Sequence, residues 1–210
     1  MEPYAGGAGV ALELLFHDHA SHVHINDLDP AVYAFWWAVT NETTSLLDLL
    51  DNTPISMDQW FKWRAVLRGE VEATPVERGF ATLFMNRTNR SGILKGGVIG
   101  GLAQDGSYKL DARFKKDVIT QRIQKIAKHA ERISVHCEDA LSLLKKSVQL
   151  LPKKSLIYLD PPYYVKGDVL YPEKMDAMQH GKLAEELARR TNWIMSYDIC
   201  NEVRKLYDFA

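Results

Sequence analysis

The stretch that most constrains the fold is residues 155–164, Ser-Leu-Ile-Tyr-Leu-Asp-Pro-Pro-Tyr-Tyr, an apolar run that ends in an acid, two prolines and aromatic residues. Its β-favouring residues, with lysines before them and prolines after, predict a strand buried on both faces, as in a parallel sheet. Because Pro161 has no N–H for the ladder, the strand must end there. Asp160 is therefore predicted at the carboxyl end of a central strand, the edge where open α/β sheets bind ligands.

The turn after this strand has a distinctive hydrogen-bonding character. Pro161 and Pro162 have a fixed φ and no N–H, so they offer rigid carbonyl groups without donors. The carboxylate of Asp160 adds further acceptors, since an ionised carboxylate only accepts. A rigid cluster of acceptors beside an aromatic ring suits a substrate that carries an NH2 group on a flat ring, such as the exocyclic amine of a nucleobase.

Residues 160–163 match the D-P-P-Y motif of S-adenosylmethionine-dependent amino methyltransferases, and the surrounding chain resembles the Dam-type (D12 class) DNA adenine-N6 methyltransferases. The resemblance implies an α/β fold with a doubly wound, mostly parallel, Rossmann-like sheet and an inserted, mainly helical and loop, target-recognition module. It implies S-adenosylmethionine as the cofactor and double-stranded DNA as the partner, with the target adenine flipped into the site. The catalytic residues it implies are Asp160, Pro161, Pro162 and Tyr163.

The chain begins with a second informative stretch, Glu-Pro-Tyr-Ala-Gly-Gly-Ala-Gly at residues 2–9. Three glycines just before the helical pattern of residues 10–16 predict a tight turn where backbone N–H groups can approach a ligand. The stretch resembles the family's first motif, whose loop wraps the methionine part of the cofactor. This likeness implies that the cofactor-binding residues are Glu2, Tyr4, Ala5, Gly6, Gly7 and Gly9.

Acids also follow other predicted strands. Asp27 follows the strand at residues 23–26, and an acid there commonly accepts from ribose hydroxyls. Asp29 is expected to start a helix before Pro30. Family likeness places Asp139, after the strand at residues 133–137, next to the adenine of the cofactor. Further strands are predicted at 155–159 and 193–197, with one more before residue 3. His180 starts a predicted helix, and its role stays open between structural and catalytic.

The pattern changes between residues 51 and 112, where prolines, glycines and arginines interrupt the periodicity. We expect an inserted DNA target-recognition module at 51–112 between two parts of the methyltransferase core, 1–50 and 113–210. The segment 32–50 before the insert has helical spacing, and Trp60, Phe61 and Trp63 are expected to fill the core of the insert. Polar residues 86–92 resemble a family segment between the cofactor and catalytic motifs. The predicted DNA-binding residues are Asn86, Arg87, Thr88 and Arg90, with Lys166 and Tyr171 in a loop over the substrate.

Composition excludes several other classes. A hydrophobic content of 46%, a charged content of 25% and a net charge of -1 describe an ordinary globular chain, which we expect in the cytoplasm. No apolar run approaches the roughly 20 residues of a spanning helix. Neither Cys137 nor Cys200 follows a proline, which argues against a cytosine-C5 methyltransferase, and both are interpreted as packing residues. Four histidines at residues 17–24 are assigned to a connecting loop, and no metal is expected.

Three alternatives stay open at this level. An rRNA adenine methyltransferase is chemically equivalent, whereas a glutamine-N5 protein methyltransferase would lack the long insert. The third is a truncated remnant that binds cofactor or DNA without turnover. The family usually begins with a segment before the glycine loop and adds strands after the point corresponding to Ala210, so truncation at both ends is expected. An exposed sheet edge would then favour a dimer or a missing-segment partner.

Overall fold

The computed structural model describes residues 1–164 and 175–210. The chain mixes helices and strands, as an α/β protein does, and divides into two compact units. Unit 1 comprises residues 1–28 and 136–210, and unit 2 comprises residues 29–135. The predicted insert at 51–112 lies inside unit 2.

The secondary structure of the described residues is as follows, in chain order. The elements are α1 (Gly9–Phe16), β1 (Val23–Asn26), α2 (Pro30–Asn41), α3 (Thr43–Asn52), α4 (Met57–Leu67), α5 (Pro75–Thr88), α6 (Lys116–Ala127), β2 (Ile133–His136), α7 (Ala140–Leu150), β3 (Ile157–Leu159), α8 (Ala177–Leu187), β4 (Trp193–Met195) and α9 (Asn201–Leu206). Short 3-10 turns lie at Arg90–Gly92 and Ala130–Arg132.

Strand β3 pairs with β4 in parallel, in the register Ile157↔Trp193, Tyr158↔Ile194 and Leu159↔Met195. The side chains of Ile157 and Leu159 are fully buried, so the strand predicted from its apolar run is confirmed. Helix α8 packs against both α7 and α9. The core of unit 1 combines the buried residues Leu144, Ile157, Leu159, Leu183, Ala184, Leu187 and Tyr207.

The first two residues of the chain lie between β1 and β3. Glu2 donates its N–H to the carbonyl of His24 at 2.8 Å and accepts from the N–H of Asn26 at 3.0 Å. On the other side, the amino group of Met1 donates to the carbonyl of Leu156 at 2.7 Å, and the Met1 carbonyl accepts from Tyr158 at 2.9 Å. These bonds correspond to the strand that the sequence predicts before residue 3.

Unit 2 is mainly helical in its described residues, and α5 packs on α2, α3 and α4. Gly79 permits the close approach of α5 to α2, because a Cβ there would lie 2.6 Å from the carbonyl oxygen of Ala34. As predicted, Asp29 caps α2 by accepting the N–H of Ala31 at 2.8 Å, with Pro30 in the first turn. Helix α5 starts with a capping box between Thr74 and Glu77.

Helical spacing over residues 32–50 is confirmed, with the backbone leaving helical geometry at Glu42, between α2 and α3. The first three residues of the polar run that begins at residue 86 complete the last turn of α5. Two sequence-based interpretations need correction. Trp60 and Trp63 are buried as predicted, but Phe61, on another face of α4, is exposed. Cys137 is exposed, so it is not a packing residue.

Candidate active site

Asp160 follows β3 directly, as predicted, and one of its carboxylate oxygens has no partner. The Oδ1 atom is buried and makes no hydrogen bond within the described part of the chain. Burial raises the pKa of this carboxyl above its ordinary value. Because an unpaired buried acceptor costs about 1–3 kcal/mol, a native structure that keeps one marks a functional candidate. The arrangement leaves an acceptor ready for a ligand that carries a donor.

The chain leaving this turn is held by β4 and the residues that follow it. Tyr164 donates its backbone N–H to Oδ1 of Asp198 at 3.0 Å. The ring of Tyr163 stacks against Tyr197, with the centroids 6.5 Å apart and the planes at 28°. Both interactions join the end of β4 to the residues just after Pro162. They fix the direction in which the turn presents its carbonyl groups and the ring of Tyr163.

His180 supports the same region from α8. It is 1% exposed, and its Nδ1 atom shares a hydrogen bond with the hydroxyl of Tyr197. Its ring also lies 4.8 Å from the ring of Tyr164. Burial lowers the pKa of His180, which favours the neutral imidazole. These contacts give His180 a supporting position behind the turn.

The glycine loop is tied to Asp27. Gly6 has a φ of +47° and donates its N–H to Oδ2 of Asp27 at 2.9 Å. The following Ala8 also has a positive φ, of 49°, and the loop leads into α1 at Gly9. A Cβ built on Gly6, Gly7 or Gly9 would meet no atom within 4 Å. This face of the loop is therefore clear for a ligand that approaches the backbone closely.

Glu2 links the start of α1 with Asp160. Its side chain is 4% exposed, and Oε2 accepts the N–H of Ala11 in the first turn of α1 at 2.8 Å. Burial is the main cause that raises the pKa of Glu2 to about 7, and the nearby charge of Asp160 adds to it. The predicted cofactor residue Glu2 and the predicted catalytic residue Asp160 are thus brought into electrostatic contact.

Tyr4 and Asp139, both predicted cofactor residues, also interact electrostatically. Tyr4 packs on the unit 1 core and donates its hydroxyl to the sulfur of Met175 at 3.7 Å. Burial raises the pKa of the Tyr4 hydroxyl, and the charge of Asp139 raises it further. Asp139 caps α7 by accepting both the N–H and the hydroxyl of Ser142 at 2.9 Å. Its carboxylate is exposed and keeps further acceptor capacity.

Asn26, which had no role assigned from the sequence, connects the glycine loop with the residues after β2. Its buried amide donates to the carbonyls of Pro3 at 2.9 Å and Glu138 at 3.0 Å, and it accepts the N–H of Glu138 at 2.9 Å. The buried Ala5 donates its N–H to the carbonyl of Asn26 at 2.8 Å. Asn26 thereby holds the glycine loop beside the acids that follow β2.

A comparison with protein families identifies the reaction that the protein catalyses. A family model described as D12 class N6 adenine-specific DNA methyltransferase matches residues 1–210. The chain belongs to this family. It is an enzyme that methylates the N6 amino group of adenine in DNA, and the family implies S-adenosylmethionine as the methyl donor. No curated protein matches the chain.

The residues around the glycine loop fit that donor. S-Adenosylmethionine carries a charged methionine part, a ribose with two hydroxyls and an adenine, so it needs both close backbone approach and acceptors. In this methyltransferase, the clear face at Gly6 and Gly7 allows a close approach to the backbone. The carboxylates of Asp27 and Asp139 are hydrogen-bond acceptors. Within the described residues, no helix is long and apolar enough to cross a membrane, and no group of metal-binding side chains occurs.

The predicted DNA-binding residues of the methyltransferase occupy different environments. The amide of Asn86 donates to the carbonyl of Gly92 at 3.1 Å, and the buried hydroxyl of Thr88 donates to Phe84 at 2.8 Å. Arg87 is half-buried, and burial lowers the pKa of its guanidinium. Arg90 is exposed. Lys166 and Tyr171 lie outside the described residues. DNA contacts of these six residues stay predictions.

The sequence did not single out Tyr164, Tyr197 and Asp198, which complete the support of the turn at residues 160–163. A polar or aromatic residue at the end of a parallel strand lies at the ligand-binding edge of the sheet. The predicted strand at residues 193–197 could therefore have indicated Tyr197 and Asp198. The contacts of these three residues with one another and with residues 163 and 180 span 16 to 34 residues of sequence. No local pattern reports contacts of that range.

Proposed function

We propose that the turn Asp160–Tyr163 binds the target adenine after it has rotated out of the DNA duplex. Tyr163 stacks on the base, while the carboxylate of Asp160 and the carbonyl of Pro161 accept hydrogen bonds from the N6 amino group. The observation that carries this proposal is the buried Oδ1 of Asp160, which lacks a donor in the described chain. An amino group is the donor that would satisfy it.

Acceptors at this place assist the reaction in a specific way. The lone pair of an arylamine is delocalised into the ring, so the amine is a poor nucleophile until its geometry changes. Two acceptors on the N–H bonds orient the nitrogen and direct its lone pair away from the ring. S-Adenosylmethionine, when bound, supplies an electrophilic methyl group on a sulfonium. No covalent intermediate with the enzyme is required.

The amine must also lose one proton when the nitrogen–carbon bond forms. Burial raises the pKa of Asp160, which makes its carboxylate a better proton acceptor than an exposed aspartate. Asp160 is therefore proposed to orient the amine first and then to take up its proton. The neutral His180 and the hydroxyl of Tyr197 support the turn from behind and do not touch the base.

The cofactor-binding residues are proposed to act in three groups. The loop from Tyr4 to Gly9 wraps the methionine part, and Glu2 holds that loop to α1 from beneath. Asp27 accepts from the ribose hydroxyls, and Asp139 lies next to the adenine of the cofactor. Two hydrogen bonds support this arrangement of the three groups. Gly6 donates to Asp27, and Asn26, next to Asp27, donates to Glu138, next to Asp139.

We also propose that the core is a doubly wound, mostly parallel, Rossmann-like sheet. The bonds of Met1 and Glu2 to β3 and β1, together with the parallel pairing of β3 and β4, support one continuous sheet through the start of the chain. In this view, residues 1–50 and 113–210 form the core and residues 51–112 the DNA target-recognition module. The DNA substrate favours the cytoplasm as its location.

Substitution of Asp160 tests the proposal. Asp160→Ala should lower the rate of methyl transfer to duplex DNA by at least about 100-fold, because a group positioned for the transition state is lost. The affinity for S-adenosylmethionine should stay within about threefold, since the cofactor residues are untouched. Asp208→Ala, the same change at an exposed aspartate of unit 1, is the matched control. Retained activity in Asp160→Ala would remove this residue from the reaction.

A further inference from the structure

His180 is a buried titratable side chain near the start of α8, and its surroundings connect two parts of the site. A capping box fixes the start of the helix. The carboxylate of Asp176 accepts the N–H of Gln179, and the side-chain amide of Gln179 accepts the N–H of Asp176, both at 2.8 Å. Such a start brings the residue before the cap against the fourth helical residue. These two residues are Met175 and His180, and the backbone of Met175 hydrogen-bonds to the imidazole.

The imidazole lies beside the apolar core of unit 1, where a polar ring costs free energy unless its nitrogens are paired. His180 is 1% exposed, and Leu183 and Ala184, one turn further along α8, belong to that core. Burial lowers the pKa of His180 in spite of the nearby charges of Asp198 and Asp176, which favours the neutral ring. A leucine would fill this position without that cost. The hydrogen bonds of the histidine are what distinguish it from a leucine here.

On one side, His180 fixes the ring of Tyr197. The Nδ1 atom shares a hydrogen bond with the hydroxyl of Tyr197, and the centroids of the two rings are 5.7 Å apart. The tyrosine ring is thereby held at its hydroxyl as well as at its backbone. Tyr197 stacks on Tyr163 with the planes at 28°, so the plane of Tyr163 depends on that of Tyr197. Tyr163 is the ring on which the target base is proposed to stack.

On the other side, Met175 contacts the cofactor loop. Tyr4 donates its hydroxyl to the sulfur of Met175 at 3.7 Å, and both side chains pack on the core of unit 1. Tyr4 also interacts electrostatically with Tyr197. Burial raises the pKa of the Tyr197 hydroxyl, and the charges of Tyr207 and Tyr4 raise it further. A residue of the cofactor loop and the ring behind the catalytic turn therefore share one support, made by Met175 and His180.

We propose that His180 is a positioning residue for methyl transfer. Through Tyr197 it fixes the plane of Tyr163, and through Met175 it ties that ring to the cofactor loop. The proposal rests on the proposed function, which places the target adenine on Tyr163 and S-adenosylmethionine on the loop. Methyl transfer needs the attacking nitrogen in line with the methyl group and the sulfur, and a displacement of about 1 Å can cost about 100-fold in rate. Loss of His180 should therefore lower kcat more than it weakens binding.

Two substitutions separate the hydrogen bond of His180 from its volume. His180→Leu fills the space with apolar atoms, whereas His180→Asn keeps a polar atom close to the place of Nδ1. In His180→Leu, kcat for methylation of duplex DNA should fall about tenfold, while KM for DNA and Kd for S-adenosylmethionine stay within about threefold. His180→Asn should recover kcat to within about threefold of the wild type. An undiminished kcat in His180→Leu, or equal kcat values in the two variants, would overturn the proposal.

A double variant distinguishes positioning from structural support. His180→Leu leaves the hydroxyl of Tyr197 without this partner, which by itself should destabilise unit 1. Removing both partners in His180→Leu/Tyr197→Phe should return the midpoint of urea denaturation towards that of the wild type, because no unpaired group remains. The value of kcat should stay low, since nothing holds the plane of the aromatic ring. Recovery of kcat together with stability would overturn the positioning role.

Met175→Leu tests the connection to the cofactor loop. It removes the sulfur that accepts from Tyr4 and keeps a similar volume. Because a thioether is a weak acceptor, kcat should fall by only about threefold, and by no more in the His180→Leu background, where the connection is already broken. Met178→Leu is the matched control, since it makes the same change on α8 at a side chain that is 62% exposed. Equal kcat values for Met175→Leu and the control, or additive losses with His180→Leu, would overturn the connection.

Asp160→Ala, measured in the same assays, separates this proposal from the proposed function. If Asp160→Ala is slow and His180→Leu is not, only the positioning role is overturned. If Asp160→Ala keeps its activity, the proposed function fails, and the positioning role that rests on it fails too. A slow rate in both variants, with cofactor affinity unchanged, supports both.

Discussion

The carboxylate of Asp198 accepts the backbone N–H of Tyr164 at 3.0 Å, which joins the chain after β4 to the residue that follows the Asp-Pro-Pro-Tyr turn. The two prolines contribute no N–H groups, so the first backbone donors after them are those of Tyr163 and Tyr164, and the second of these holds the end of the turn to Asp198. The bond gives Asp198 control over the position of Tyr163 without contact to the substrate.

Asp198→Ala should therefore slow methyl transfer without changing cofactor affinity. Loss of a hydrogen bond to a charged acceptor costs about 1.5–3 kcal/mol, and a small displacement of Tyr163 should lower kcat by about tenfold. Asp198→Asn keeps an acceptor oxygen and should recover part of the rate. Single-turnover kinetics and cofactor titration separate the two effects. Equal rates for the wild type and Asp198→Ala would contradict this role.

Tyr197→Phe should destabilise unit 1 through His180. The change removes the hydroxyl that is hydrogen-bonded to Nδ1 of His180, a side chain that water does not reach. The unpaired nitrogen should lower the free energy of unfolding by about 1–3 kcal/mol. Urea denaturation measures the loss, with Tyr108→Phe as the control at a ring that is 74% exposed. A loss no larger than that of the control would mean that the bond contributes nothing.

The raised pKa of Glu2 predicts a pH dependence of stability. Burial raises the pKa from 4.5 to about 7, so between these values the folded state binds a proton that the unfolded state has lost. The free energy of unfolding should therefore fall as the pH rises through this window, by about 3 kcal/mol for this group, and level off above it. Glu2→Gln, which cannot titrate, should remove that part of the slope. The comparison uses urea denaturation at pH 5, 6 and 7.5, and identical slopes would contradict the assignment.

Gly7→Ala tests whether the cofactor lies on the glycine loop. The new methyl group would meet no protein atom within 4 Å, so stability should hardly change. If the loop wraps the cofactor, the methyl group occupies space that the ligand needs, and the affinity should fall by about tenfold. Gly181→Ala adds the same group to an equally open position on α8. It should leave the affinity unchanged; equal affinities for both variants would place the cofactor elsewhere.

Local sequence signals predicted much of this site. The apolar run before Asp160 and the prolines after it gave a strand end without long-range information, and Asp29 with Pro30 gave a helix start. The capping signals are local because the atoms they join are neighbours in the chain. The catalytic and cofactor motifs were named by family resemblance, and their family is confirmed.

Contacts over long distances were not predictable in the same way. The bridge at Met1 and Glu2 is too short for any periodicity, and the bonds of Met1 reach residues 156 and 158. The bonds of Asp198 to Tyr164 and of Asn26 to Glu138 depend on how the strands pair, which single residues do not encode. The polar run from residue 86 resembled a family segment and carried no helical signal of its own. Its first three residues nevertheless belong to α5, which ends at Thr88, and both Thr88 and Asn89 are buried.

Asp160 is proposed to orient the N6 amino group of an adenine in DNA. The most direct measurement uses S-adenosylmethionine with a labelled methyl group, duplex DNA or RNA of the same sequence, and chromatography of the digested product. We predict label in N6-methyladenine from DNA with the wild type, and a rate at least about 100-fold lower with Asp160→Ala at equal cofactor occupancy. Label on another atom, or an undiminished rate in the variant, would contradict this role of Asp160.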